Sequence, residues 1–390
     1  MKRYDVVIVG GGPAGSTAAY HIDKLKTLIV DKDDFPRFKA CGGGLMSCRD
    51  WATEFANFAA IEPELTKEAQ STDTLQIFWD TTYTLSRRFK HLFDQVSRSR
   101  LDDLLLKEAL KKENVSFRRF TLETIRYTIE DRVKWYILSD GKEDIYTRYI
   151  IGADGTFSRV AHFLRNRLRK PHEYGVCLEY SLECEKKTSD VVVNAGYGGE
   201  IGYSWIFPTT TGYYVGLGVV RPPCTVLKQM LDDYLAWSVA QGFVPEQYTL
   251  KKTFGAAIPL SVVSRYCSDG VLLCGDAMGT VNVLIGEGIY YAMKSGKIAG
   301  QTISESTEHL KRRYQRAIRP VIWEIFITPY IPPRIITVNF WKVVFSLIRP
   351  FDRLDFVNAP LKLIIRRILH RYRIKGGYYT DERLKSGKAD

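Results

Sequence analysis

Residues 5–9, Asp-Val-Val-Ile-Val, make a short apolar run of the kind a parallel strand covered on both faces requires. The run leads directly into Gly10-Gly11-Gly12-Pro13-Ala14-Gly15, and this hexapeptide constrains the fold more than any other feature of the chain. Gly10 makes the tight turn, Gly12 lets a pyrophosphate approach the backbone, and Gly15 lets a helix pack on the strand. The phosphates then lie at the positive end of that helix. The pattern predicts a helix over 16–24 and a second strand over 27–30, closing a βαβ unit. Asp31 follows Gly10 by 21 residues at the end of that strand, where an acid accepts ribose hydroxyls. Pro13, Ala14 and Lys32 complete the expected contacts of this segment.

Two later segments repeat the theme. A strand over 149–152 runs into Ala153-Asp154-Gly155, and another over 271–274 runs into Gly275-Asp276. Gly286-Glu287-Gly288-Ile289 then opens a helix expected over 287–302. A carboxylate beside a helix N-terminus suits a flavin, because the helix dipole stabilises negative charge on the reduced ring. Between these segments, 115–147 and 172–260 alternate like antiparallel strands. The expected fold is α/β, a Rossmann-like domain of 1–75, 96–168 and 262–304 with an inserted antiparallel sheet of 76–95 and 169–261. Residues 305–390 are expected to be helical.

Charge separates this last region from the rest. Residues 301–390 hold 18 Lys/Arg against 8 Asp/Glu, a net of +10, which leaves +2 for the first 300 residues. A local basic surface implies an anionic partner. Leu361, Ile364, Ile365, Ile368, Leu369 and Tyr372 recur at helical spacing, with Lys362, Arg366 and Arg373 around them. That pattern suits peripheral contact with a membrane, or else a core helix with a solvated basic face. The tail lacks a nucleic-acid-binding motif, so no nucleic-acid partner is expected. Seven cysteines without paired ligand spacing point to reduced thiols and to no metal site. The strand beginning almost at Met1 leaves no room for a targeting segment, so a cytoplasmic location is expected.

The three nucleotide-site segments resemble the FAD signatures of flavoproteins related to para-hydroxybenzoate hydroxylase. Phe35-Pro36-Arg37-Phe38-Lys39-Ala40-Cys41-Gly42-Gly43-Gly44-Leu45, Tyr203-Ser204-Trp205-Ile206-Phe207-Pro208 and Gly286-Glu287-Gly288-Ile289-Tyr290-Tyr291-Ala292-Met293 are similar, more narrowly, to the geranylgeranyl reductase family. The resemblance implies FAD as cofactor and saturation of geranylgeranyl double bonds on a prenyl lipid or diphosphate. It also implies an external electron donor, ferredoxin or NAD(P)H. By the same resemblance Arg98 helps to hold FAD, and Cys41, with Gly42 and Gly43, belongs to a flavin-facing loop.

Tyr203, Trp205 and Phe207 alternate, so a strand turns all three to one face, either as core or as the wall of a prenyl slot. An isolated alkene is a poor hydride acceptor, so protonation must precede or accompany hydride delivery. A thiol of pKa about 8.5 is too weak an acid to make a discrete cation, so Cys41 assists at most a concerted transfer and the proton donor stays open. Two other functions compete with the reductase. A flavin monooxygenase or halogenase shares the fold and a related aromatic motif, and a non-catalytic prenyl-lipid escort shares the fold alone.

Overall fold

The computed structural model describes residues 2–325 except 47, 167–172, 187, 198–201, 221–225 and 283–285. The basic helix expected over 359–374 lies outside the described residues. In chain order the first half contains β1 (Lys2–Val9), α1 (Pro13–Tyr20), β2 (Thr27–Asp31), β3 (Gly44–Met46), α2 (Cys48–Glu54), α3 (Ala56–Leu65), β4 (Gln70–Trp79), β5 (Thr82–Gln95), α4 (Arg98–Leu110), β6 (Val115–Arg119), β7 (Thr124–Glu130), β8 (Val133–Ser139), β9 (Asp144–Gly152) and α5 (Arg159–Phe163). The second half contains β10 (Tyr174–Glu183), β11 (Val191–Ala195), β12 (Gly202–Pro208), β13 (Gly212–Val220), α6 (Leu227–Ala240), β14 (Thr249–Pro259), β15 (Val271–Leu273), α7 (Gly275–Met278), α8 (Ile289–Glu305) and α9 (Leu310–Ile325).

The first sheet runs in the order β6-β2-β1-β9-β8-β7, with β15 also paired to β9. Strand β9 serves two purposes. Its start, Asp144 to Thr147, pairs antiparallel with β8, while Ile150 to Gly152 pairs parallel with β15. The parallel core β6-β2-β1-β9-β15 therefore ends its strands along one edge, where all three glycine segments emerge. Val6, Val7, Ile8, Ile29, Ile150 and Leu272 are fully buried, as a parallel sheet covered on both faces demands. Helix α8 lies on α1 through small residues. A Cβ on Gly296 would stand 2.2 Å from the Ala14 carbonyl oxygen, and one on Gly300 would stand 2.3 Å from that of Ala18.

The second sheet runs β14-β10-β13-β12-β11-β4-β5-β3. Tyr180, Leu182, Ile206, Val215 and Leu217 form its core face and pack on α6 through Leu227, Leu231 and Tyr234. The alternate residues of β10, β12 and β13 face the cofactor loops. This sheet takes more of the N-terminal chain than expected. Gln70 pairs with Gln95, and Gly44 to Met46 pair with β5, so the boundary expected at 76 moves to 70 with 44–46 added. The reason is that β4 and β5 form a long hairpin, and the strand after the glycine loop closes on its end.

Among the described residues of the basic region, α9 turns Leu310, Tyr314, Ile318, Val321 and Ile325 inward. The Tyr314 hydroxyl donates to the Leu273 carbonyl at 2.6 Å, which ties α9 to β15. Pro320 sits inside α9 on its exposed side. No helix among the described residues is long and apolar enough to cross a membrane.

Candidate active site

The pyrophosphate turn has the shape its sequence implies. A Cβ on Gly10 would stand 2.3 Å from the Ala153 carbonyl oxygen, and one on Gly15 would stand 1.8 Å from that of Gly10. These two glycines are therefore required by the protein's own packing. Gly12 differs: its Cβ would meet only the Arg37 guanidinium at 3.4 Å and the Asp102 carboxylate at 4.0 Å. Gly12 caps α1 without a side-chain bond, and Pro13 occupies the first turn. Asp31 accepts from the Gly11 N–H at 2.8 Å and from the Asp33 N–H at 3.1 Å, which fixes its carboxylate at the strand end. Lys32 is exposed beside Asp33, at 3.8 Å, so it is placed at the rim.

Above this turn a charge cluster assembles. Asp102, fully buried on α4, accepts from Arg98 Nε and a terminal nitrogen at 2.9 Å each, and lies 3.3 Å from Arg37. Burial alone would depress the Arg98 guanidinium, but the Asp102 carboxylate and the Cys41 sulfur beside it reverse this and raise it. Two guanidiniums on one carboxylate leave positive charge at the open side of Gly12. A pyrophosphate fits that balance, with the helix N-terminus below it and cations above. Arg37 lies within the Phe35–Leu45 segment, but nothing in its sequence context marks it for this position.

The flavin end is built from the other segments. Asp276, in α7, accepts weakly from the Thr156 hydroxyl at 3.4 Å. Its carboxylate oxygen would be 3.8 Å from a Cβ on Gly288, the uncapped N-cap of α8, and Gly275 carries a left-handed φ of 59° that starts the turn. Ile289 buries its side chain with Leu45 and Met293, so only its backbone faces the helix start. Asp154 behaves differently from the expected ligand contact. Its oxygens accept from the Ser158 hydroxyl at 2.5 Å and from the Arg159 and Val160 N–H groups at 2.7 and 3.2 Å. It thus holds the start of α5, and burial pushes its carboxyl up against those bonds.

The structure brings the aromatic row to these loops. Trp205 lies between Tyr203 and Phe207, with ring centroids 5.6 and 5.8 Å away. A Cβ on Gly286 would be 2.1 Å from the Tyr203 hydroxyl, and one on Gly42 would be 3.0 Å from the Phe207 ring. Gly43 takes a left-handed φ of 66°, and its N–H donates to the Cys41 sulfur at 3.4 Å. Cys41 is half-buried beside Arg98. Two further residues join this wall without any motif to announce them. Cys177 and Glu179 project from β10 on the same face, and the Trp205 Nε1–H donates to the Glu179 carboxylate at 2.7 Å. Burial pushes the Cys177 thiol up to about 12. The one sequence signal for them is Gly216-Leu217-Gly218, alternate glycines that open a trough across β13 for the indole.

The Gly12 and Gly15 geometries predict opposite outcomes for the same substitution. Gly12→Ala leaves melting close to the parent and weakens flavin retention by about tenfold or more, roughly 1.4 kcal/mol. Gly15→Ala prevents folding. Flavin absorbance per protein and the melting temperature measure both, and full flavin content in Gly12→Ala would contradict the assignment of this turn.

Residues 3–211 match a family model described as an FAD binding domain, and FAD is the cofactor. A Methanosarcina barkeri protein is 31% identical over 345 residues, covering 82% of this chain and 81% of its own length. The digeranylgeranylglycerophospholipid reductase of Methanocaldococcus jannaschii is 26% identical, covering 80% and 81%. The menaquinone reductase of Mycobacterium tuberculosis is also 26% identical, covering 77% and 76%. A geranylgeranyl bacteriochlorophyll reductase-like structure from Thermoplasma acidophilum shares the fold, with a TM-score of 0.69 at 21% identity over 83% and 84% of the two chains. The chain belongs to the FAD-binding flavoproteins of the geranylgeranyl reductase family.

Proposed function

We propose that this flavin-dependent oxidoreductase saturates isolated double bonds of geranylgeranyl chains carried on lipid or diphosphate head groups. The observation that carries the reading is the position of Tyr203, Trp205 and Phe207, wedged between Gly42 on one side and Gly286 on the other. By the family resemblance, those two positions belong to loops that would flank a bound flavin. The relatives' names give support of a different kind. A digeranylgeranylglycerophospholipid and a menaquinone differ in head group and share a polyprenyl chain, so the chain is the common feature.

FAD held here would, when reduced, supply the hydride, and an external carrier, ferredoxin or NAD(P)H, would renew it. The protein's own contribution is binding, exclusion of water and charge stabilisation. Arg37, Arg98 and the α1 N-terminus hold the pyrophosphate. The aromatic wall gives an apolar chain a dry surface, and its ring faces stabilise developing positive charge on carbon by about 0.5–2 kcal/mol. Dithionite-reduced protein incubated with geranylgeranyl lipid or geranylgeranyl diphosphate is expected to give products heavier by successive pairs of hydrogens in mass spectrometry. Oxygenated or halogenated products, formed only with oxygen, would establish the monooxygenase or halogenase reading instead.

The same proposal places the protein on the cytoplasmic membrane surface through its basic C-terminal region. In the described part of that region, α9 exposes Lys311, Arg312, Arg316 and Arg319, with Trp323 58% exposed beyond them. Each such cation near an anionic bilayer contributes about 1 kcal/mol, and salt screens the attraction. Sedimentation with anionic vesicles is expected to fall as salt rises. It should drop about tenfold or more in a variant with all four cations changed to Gln. Equal sedimentation of both proteins, or indifference to lipid charge, would contradict membrane binding through α9.

A further inference from the structure

Saturating an isolated alkene needs a proton as well as a hydride, and the aromatic wall contains one acid placed to give it. Glu179 on β10, Gly216 on β13 and Trp205 on β12 stand in a single register line across three strands. A Cβ on Gly216 would be 2.4 Å from the indole, so only glycine lets Trp205 lie flat over β13 and reach Glu179. Glu179 is 3% exposed, with Oε2 bonded to Trp205 at 2.7 Å and Oε1 without a hydrogen-bond partner among the described residues. The carboxyl faces the flavin loop, since a Cβ on Gly42 would be 3.1 Å from Oε2. A buried carboxylate with one donor and no cation among the described residues carries a large desolvation cost, which protonation removes.

We propose that Glu179 is the proton donor to the prenyl double bond, an assignment that rests on the prenyl-reductase reading above. The carboxyl O–H bond breaks as a C–H bond forms at one alkene carbon, and the neighbouring carbon receives the hydride with its two electrons. The carboxylate then regains a proton from water. Carboxylate charge develops opposite positive charge on carbon, within a water-poor wall where such attraction is strong, and the Trp205 N–H stabilises it.

The groups around Glu179 are thiols, phenols and apolar rings, and Glu179 is the one carboxyl among those described. Cys177 shares its strand, Tyr203 and Tyr214 face it from β12 and β13, and Cys41 approaches from the loop. Its partner on β14 is the apolar Phe254, and Lys252 is turned over the Phe38 ring. Burial pushes the Glu179 carboxyl up to about 8, against the lowering effect of the Trp205 bond. The proton is therefore held at neutral pH and is lost as pH rises through about 8. Cys177 and Tyr203 are pushed up further, which makes both weaker donors.

Two measurements on wild type, Glu179→Gln and Trp205→Phe test this. Infrared difference spectra of the flavin-free protein should show a protonated carboxyl band at pH 7 that fades through about pH 8 and is absent in Glu179→Gln. Single-turnover saturation of a geranylgeranyl chain by the reduced holoenzyme should fall about 100-fold or more in Glu179→Gln, with flavin content unchanged. The wild-type rate should decline above about pH 8, and Trp205→Phe, which removes the carboxylate's one donor, should move that decline to higher pH. A wild type that saturates no prenyl chain overturns the prenyl reading and the donor role together. A wild type that saturates while Glu179→Gln matches it within about twofold overturns the donor role alone, as does an absent carboxyl band at pH 7.

Discussion

Backbone touching backbone at one edge of the parallel sheet is the constraint on which the other parts depend. Gly10 lies on the Ala153 carbonyl, Gly15 on that of Gly10, and Gly296 and Gly300 on those of Ala14 and Ala18. Each contact is too close for any Cβ. Together they bring the N-termini of α1 and α8 to the same edge. There one helix end would face the phosphates of a bound FAD and the other its ring, with dipoles of the same sign at both.

The second sheet completes the site through a similar absence of side chains. Gly216 and Gly218 clear a trough on β13, into which Trp205 lies and from which Glu179 is reached. The face thereby becomes aromatic, dry and almost free of charge, in contrast to the Arg37–Asp102–Arg98 cluster at the phosphate end. The two ends suit different chemistry. Anion binding needs the uncompensated cation, whereas reduction of an alkene needs water excluded and a neutral acid retained. The two sheets contribute these two walls separately.

Much of this was legible in the chain because glycine signatures are local. Gly10 to Gly15, Asp31, Gly275-Asp276 and the start of α8 announce themselves within a few residues, and the alternation of Tyr203, Trp205 and Phe207 follows from strand geometry alone. Helix α1 begins earlier than expected because Pro13 is suited to the first turn, and it ends by His21, before the left-handed Lys24. Helix α6 interrupts a stretch whose pattern is otherwise strand-like, although Leu227, Leu231, Tyr234 and Leu235 carry helical spacing. The bonds from Asp154 to the start of α5 are not written in the Ala153-Asp154-Gly155 pattern, which marks only the strand end. Glu179 was invisible for a deeper reason. Its burial arises from a register across three strands that no short pattern encodes.

The central claim is that the aromatic wall is where a prenyl chain lies. A crystal structure of the FAD-bound protein with a saturated geranylgeranyl analogue tests this most directly. Chain density is expected along Tyr203, Trp205 and Phe207, between the Cys41–Gly44 loop and Gly286, with one isoprene unit in contact with the Glu179 carboxyl. Chain density on another surface, with this space closed or filled by a polar molecule, would contradict it.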